Sequence, residues 1–203
     1  MPDRDLIDEP RPTRRSQAKA DRRRQLLAAA ARLIAERGYA RVRLEDLGSA
    51  VGISGPALYR HFPNKEALLA ELLVGISARL FTGGTEVVAS TPDPAAALTG
   101  LIEFHLDFAL GEPDLIRVQD RDLASLPDAA LREVRRYQRR YVELWVQILR
   151  ETDPALSETE ARTKAHATFG LINSTPHSMG KTTPTITRDV LRRMTVAALA
   201  PGI

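Results

Sequence analysis

The run Ile53-Ser-Gly-Pro-Ala-Leu-Tyr-Arg-His-Phe62, preceded by Leu44-Glu-Asp-Leu-Gly-Ser-Ala-Val-Gly52 and followed by Pro63-Asn-Lys-Glu66, decides the fold. Leu44, Leu47 and Val51 stand at i, i+3 and i+7, one face of a short helix. Gly52 predicts its stop, because a tight connection between crossed helices needs a positive φ, which glycine adopts without a Cβ penalty. Ser54 or Gly55 is placed to cap a second helix, with Pro56 in its first turn, where the missing N–H costs nothing. Leu58 and Phe62 turn inward at i, i+4. Pro56, Ala57, Tyr59, Arg60 and His61 are left on the outer surface and the helix start, the arrangement of a helix-turn-helix that enters a DNA major groove.

Working outward, the spacing of Leu26, Leu27, Ala30, Leu33 and Ile34 predicts a helix from about Ala18 to Arg37, stopped by Gly38. On the other side, Asn64 is expected to cap a helix striped with Leu68, Leu69, Leu72, Leu73, Ile76 and Leu80. Gly83-Gly84 predicts its end, so residues 65–81 read as a linking helix between two modules.

The motif, with Gly38-Tyr39 and the helix before it, resembles the N-terminal domain of TetR-type transcriptional regulators over about residues 17–75. The Leu-Tyr-x-His-Phe run followed by Lys65-Glu66 carries the likeness. Three positions depart from the family pattern. Arg43 stands where Ser or Thr commonly caps the first motif helix, and its side chain cannot accept a helix N–H, so fraying is expected there. Gly48 replaces the usual alanine, at a cost of about 1 kcal/mol of helix propensity, while permitting closer approach of the second helix. Gly55-Pro56-Ala57 lack polar side chains, which shifts base reading toward Arg60 and to methyl contacts from Ala57. The resemblance implies that Tyr59, His61 and Lys65 touch backbone phosphates. The DNA-facing set is then Arg43, Ser54, Gly55, Pro56, Ala57, Tyr59, Arg60, His61 and Lys65.

Twenty-nine basic against 26 acidic residues leave a net charge of only +3, so its distribution says more than its sum. Residues 1–16 read as a disordered arm, acidic and proline-rich before turning basic. Arg11, Arg14, Arg15, Lys19, Arg22, Arg23 and Arg24 form a basic run, either a solvated tail or a set of DNA contacts. The absence of cysteine excludes disulfide and thiolate chemistry. No apolar run approaches the roughly 18 residues of a membrane span and no signal-peptide core opens the chain, so a cytoplasmic protein with no membrane partner is expected.

The rest also reads as helix, giving an all-α fold: arm 1–16, helix-turn-helix domain 17–64, and a helical regulatory and dimerisation domain 65–203. Helices are predicted over Ala95–Leu110, Asp114–Leu126, Asp128–Glu151, Ser157–Ser174 and Thr185–Ala200. Ser157-Glu-Thr-Glu160 is a capping box. Pro176 either ends or kinks the helix before it. Ile186, Val190, Leu191, Met194, Ala197 and Ala198 form the apolar side of the last helix. Arg132, Arg135, Arg136, Arg139 and Arg140 line one side of the long helix Asp128–Glu151, either a solvated face or a meeting place for a ligand phosphate or an acidic partner.

The resemblance implies two uses for this second module. One is a homodimer through the helices 157–174 and 185–200, with Ala161, Ala165 and Ala167 permitting close approach. A dimer places two recognition helices about 34 Å apart on a pseudo-palindromic operator. The other is a cavity for a small apolar effector, acyl or lipid-like in the chemistry it offers. Its lining would draw on Phe104, His105, Phe108, Ile116, Tyr137, Tyr141, Trp145, Phe169, Asn173 and His177. Each aromatic also reads as plain core, His105 as a core histidine, and Asn173 as a partner for backbone freed by Pro176. The expected function is a repressor released from operator DNA by its effector. The alternative is a DNA-binding regulator controlled by a protein partner without a small ligand, or an activator. His61, His105, His166 and His177 show no metal-ligand spacing, and neither a phosphate loop nor a nucleophile motif occurs, so no metal, cofactor or enzymatic activity is expected.

Overall fold

Arg14–Arg37 forms α1, four residues longer at its start than the spacing predicts. Gly38 ends it at a φ of 85° while its N–H still donates to the Ile34 carbonyl at 2.8 Å. A 3-10 turn over Tyr39–Arg41 leads to α2 (Leu44–Val51) and α3 (Gly55–Tyr59). Then follow α4 (Lys65–Ser90), α5 (Pro94–Gly111), α6 (Pro113–Asp122), α7 (Asp128–Thr152), α8 (Glu158–Ile172), α9 (Thr175–Ser178) and α10 (Pro184–Leu199). This computed structural model describes residues 14–178 and 183–200, among which there is no strand. Most of the predicted arm lies outside the described residues.

Two apolar cores organise the helices. One gathers Leu26, Ile34, Leu47, Leu58, Phe62 and Leu69, and Leu115, Val118, Leu126 and Val134 from α6 and the segments after it join it. The other is built from Leu101, Leu106, Tyr141, Trp145, Ile148 and Ile172, with Leu191 and Leu199 of α10. Each fully buried large side chain contributes about 1.5–3 kcal/mol to that packing.

Four expectations are corrected. First, α4 runs through Gly83-Gly84 to Ser90 instead of stopping there. A Cβ on Gly84 would lie 2.6 Å from Tyr141 Cε2, and one on Gly83 would collide with the Phe104 ring. The glycines serve ring packing, not helix termination. By length and apolarity alone α4 passes as a membrane span, contrary to the sequence expectation. Its buried Leu68, Leu69, Leu72, Leu73 and Ile76 account for that apolarity as core.

Second, Arg43 offers no side-chain cap, yet α2 does not begin loose: Asp46 Oδ2 accepts the Arg43 N–H at 2.9 Å, the returning half of a capping box. Third, α8 stops at Ile172, and Asn173-Ser174 turn into α9, whose first turn holds Pro176. Fourth, α10 buries Thr187, Leu191, Thr195 and Leu199, leaving Ile186, Val190 and Met194 at 56%, 39% and 50% exposure. In the same way, Ala161 and Ala165 are spent inside the protomer at 0% exposure, and of the three predicted small residues only Ala167 is exposed.

Candidate nucleic-acid interface

The turn between α2 and α3 is built by Gly52, at φ 68° and ψ 36°, and by Ile53, whose N–H donates to the Gly48 carbonyl at 2.9 Å. A Cβ on Gly48 would stand 2.9 Å from the Ile53 carbonyl oxygen, so the close approach that this glycine permits is to the turn itself. Ser54 occupies the N-cap of α3 in extended backbone, but its hydroxyl makes no cap bond; its carbonyl accepts from Ala57 and Leu58 at 3.0 Å each. Leu58 and Phe62 are buried at 0% and 1% exposure. Arg43, Ser54, Pro56, Tyr59 and Arg60 are exposed, while Gly55, Ala57, His61 and Lys65 are half-buried. The structure therefore brings the predicted set onto one stretch of surface around α3.

Several of these side chains already have partners. Tyr59 donates its hydroxyl to Glu45 Oε1 at 2.9 Å, which raises the phenol pKa and, with backbone bonding, lowers that of Glu45. Lys65 Nζ donates to the Tyr39 carbonyl at 3.0 Å and sits 4.3 Å above the Tyr39 ring. Its ammonium keeps two further donors. Burial, then Arg23, Lys19, Arg60 and Arg22, push the His61 pKa down, so its imidazole is neutral near pH 7.

Arg23, which belongs to the basic run that the sequence leaves open between a solvated tail and a set of DNA contacts, is engaged by other residues of the protein. Its guanidinium grips both carboxylate oxygens of Glu71 on α4, donates to the His61 carbonyl at 3.0 Å and lies 4.7 Å from the Phe62 ring centroid. It thus fastens the end of the recognition segment to α1 and α4. Arg24 pairs with Asp21. Arg60 has no partner among the described residues and faces solvent.

A second contact that sequence reading missed comes from α6. Arg121 donates to the Ala35 carbonyl at 3.2 Å and to the Ile34 carbonyl, closing the C-terminal end of α1, and pairs with the nearly buried Asp122 at 2.9 Å. Asp122 Oδ1 in turn accepts the Tyr39 N–H at 3.4 Å. One turn earlier on α6, Arg117 donates to the Pro176 carbonyl of α9 at 2.7 Å. Apart from the adjacent Arg121 and Asp122, these partners stand more than 50 positions apart, so no local pattern announces them.

The predicted effector-lining residues divide. His105, Tyr141, Trp145 and Phe169 form one cluster with ring centroids 5.0–6.2 Å apart. Phe108 lies 5.7 Å from His105, Ile116 belongs to the same core, and Phe104 leans on Gly83. Asn173 Oδ1 faces His105 Nε2 at 3.1 Å, and the Tyr141 hydroxyl stands 3.4 Å from His105 Nδ1. With the amide so oriented, Nε2–H donates to Asn173 and Nδ1 accepts from Tyr141. Burial pushes the His105 pKa down to about 4 and the Tyr141 pKa up. Tyr137 instead packs with Phe81 at 6.2 Å, and His177 is exposed on α9, so neither joins the cluster. Among the described residues no group of three or more His, Cys, Asp or Glu side chains is placed to hold a metal ion.

A helix-turn-helix head whose recognition segment is solvent-facing, joined by a long helix to an all-helical second module, defines a two-module DNA-binding class. Residues 26–72 match the family described as bacterial regulatory proteins, tetR family, and residues 91–195 match the tetracyclin repressor-like C-terminal domain. The chain belongs to the TetR family. Among curated relatives, the HTH-type transcriptional repressor KstR2 of Rhodococcus jostii is 40% identical over 93 residues, covering 46% of each chain. KstR2 of Mycobacterium tuberculosis is 36% identical over 135 residues, covering 64% of this chain and 66% of its own. The matches thus span about half to two thirds of these relatives' length. A TetR-family regulator from Bordetella parapertussis superposes with a TM-score of 0.77 at 24% identity, covering 90% of this chain and 95% of its own. AibR, solved with isovaleryl coenzyme A and operator DNA, superposes at 0.68 and 20% identity, covering 85% and 97%. FadR of Bacillus subtilis, solved with stearoyl-CoA, superposes at 0.66 and 19% identity, covering 86% and 98%.

Proposed function

We propose that this chain is a dimeric transcriptional repressor that leaves a pseudo-palindromic operator when a small apolar, acyl-type effector binds its second module. The observation that carries the reading is the exposed α3 surface of Pro56, Tyr59 and Arg60, set on the buried anchors Leu58 and Phe62. Arg43, Ser54, Gly55, Ala57, His61 and Lys65 complete the DNA-facing set, with the head over 17–64 and the regulatory module over 65–203. The protein acts in the cytoplasm, where its operator is. Dimerisation through α8 and α10 is supported by the exposed Ile186, Val190 and Met194, together with the exposed Ala167 and Gly170 of α8. The acyl character is supported by AibR and FadR, which hold acyl-CoA molecules on the same fold.

The effector acts by its differential affinity for two arrangements of the heads. Tyr141 and Phe104 rest directly on Gly84 and Gly83 of α4, so a ligand that displaces these rings pushes the helix that carries the head. The close ring packing of the cluster favours a second reading, control by a protein partner with no small ligand.

The test is fluorescence anisotropy on DNA upstream of the gene, against a scrambled duplex at several salt concentrations, with and without acyl-CoA thioesters. Preference for the upstream duplex, a steep negative salt slope and release by a thioester are expected. Specific binding that no thioester alters would favour the second reading, and equal affinity for every duplex would remove the regulator reading.

A further inference from the structure

A groove of about 640 Å³ opens between α1, α4 and the start of α6, away from the aromatic cluster. Its volume suits a small ligand. The floor is apolar: Leu72, Ile76 and Leu115 show 6%, 3% and 6% exposure, with Leu27 and Ala31 beside them. The rim is charged, and its acids are already matched. Glu71 is gripped by Arg23, Glu112 takes both oxygens to Arg79 at 2.7 Å, and Asp114 pairs with Arg117 at 2.9 Å. Arg32 has no partner among the described residues, and Arg24 on the same helix holds only a solvent-exposed pair with Asp21. The surplus is therefore positive, at one wall of an apolar trough.

Gly75 gives an independent indication. It stands in the interior of α4, where glycine costs about 1 kcal/mol relative to alanine. Gly83 and Gly84 of the same helix are explained by rings that a Cβ would strike, but a Cβ on Gly75 meets nothing within 4 Å. Its missing side chain leaves groove volume open and does nothing for the packing of this protomer.

We propose that this groove is a binding site for a small amphipathic carboxylate of medium chain length, its anionic head at Arg32 and its apolar body over Gly75, Ile76 and Leu115. The span from Arg24 to Arg32 is eight residues of helix, about 12 Å, which limits the ligand to a short tail. The site touches the head through α1, the linking helix through α4 and the second module through α6, so its occupancy bears on their relative position. It is distinct from the effector cluster, and the two stand or fall separately.

Isothermal titration calorimetry of the full chain with decanoate and with decan-1-ol tests the proposal. Wild type is expected to bind decanoate at least tenfold more tightly than decan-1-ol. Gly75→Leu, which fills the trough, should weaken decanoate at least tenfold, Arg32→Gln at least fivefold, and Tyr141→Phe not at all. A melting curve checks that each variant folds; Arg32→Gln, at an exposed unpaired side chain, keeps the test usable if Gly75→Leu does not. Absence of decanoate binding, equal affinity for the alcohol, or wild-type affinity in both groove variants would overturn the site. Loss of decanoate in Tyr141→Phe with retention in Gly75→Leu would assign the ligand to the aromatic cluster, overturning the groove and leaving the effector reading intact.

Discussion

Arg121 of α6 donates through Nη1 to the carbonyl of Ala35, 3.2 Å away in the last turn of α1, and so ties the second module to the DNA-binding head. The guanidinium supplies a cap that α1 lacks locally, since carbonyls in a last turn have no intrahelical donors. Its partner Asp122 holds the Tyr39 N–H, so one residue pair secures both the end of α1 and the turn after it. Arg121→Met should lower unfolding free energy by about 1–2 kcal/mol, the low end for charge-assisted bonds because the side chain is half exposed. Urea denaturation reads that loss. Hydrogen exchange at Gly38, Tyr39 and Val42 should quicken more than in α7; uniform exchange would mean that the pair does not hold this corner.

Arg23 and Arg60 are predicted to differ in kind. Arg60→Gln removes an unpartnered surface cation, so operator affinity should weaken and the slope of log K against log salt should flatten by about 1. Arg23→Gln removes the clamp on Glu71 and the His61 carbonyl. It should cost about 1–2 kcal/mol of stability and leave the salt slope of the folded protein unchanged. A flattened slope in Arg23→Gln would place that side chain on phosphate instead.

What the sequence made legible is the head, because there local chemistry suffices: Gly52 needs positive φ, Pro56 fits a first turn, and Leu58 and Phe62 need burial within one short helix. The Ser157 capping box is equally local, with the Ser157 N–H donating to Glu160 Oε2 at 2.9 Å. Illegible features depend on what arrives from elsewhere. Gly83-Gly84 reads as a stop until the rings of Phe104 and Tyr141 are laid on it. The last helix carries small or apolar residues on both sides, so periodicity could not say which side the protomer buries. Arg188 and Arg192 settle it by pairing with Glu103 of α5 at 2.7 and 2.5 Å, turning Leu191 inward and Met194 outward. In the candidate effector site, His105, Tyr141, Trp145 and Phe169 stand on three helices, so spacing alone could not join them and only the family resemblance named them together; that Tyr137 and His177 stand apart was not foreseen.

Gly84 and Gly75 of α4 give a paired test of packing against propensity. Gly84→Ala gains about 1 kcal/mol of helix propensity but drives a methyl to 2.6 Å from Tyr141. Overpacking of this kind costs about 1–3 kcal/mol, so a net loss is expected. Gly75→Ala meets nothing and should raise the melting temperature. Thermal melts that ranked the two variants the other way would contradict the ring contact.

Exposed Ile186 and Met194, at 56% and 50%, are the groups on α10 that a partner subunit would cover. Ile186→Glu with Met194→Glu places charges where an apolar seam is proposed, and burying an unpaired carboxylate is costly. Sedimentation should then show monomer where wild type shows dimer, with operator affinity reduced because a single head reads one half-site. A dimer of unchanged strength would move the interface elsewhere.

His105 sets a pH dependence that can be isolated. Its folded pKa of about 4 lies below the ordinary 6.5 because burial disfavours the imidazolium. Between those values the unfolded chain binds the proton and the folded one does not, so stability rises with pH across that window and falls as the solution is acidified. From pH 7 to pH 5 the loss from this one group is about 2 kcal/mol. His105→Gln cannot titrate there and keeps a polar side chain beside Asn173. Its urea-derived stability should therefore decline less between pH 7 and pH 5 than wild type does, by about that amount. Parallel declines would mean that the imidazole is protonated in the folded protein, and the Nε2–H bond to Asn173 would then belong to a charged ring.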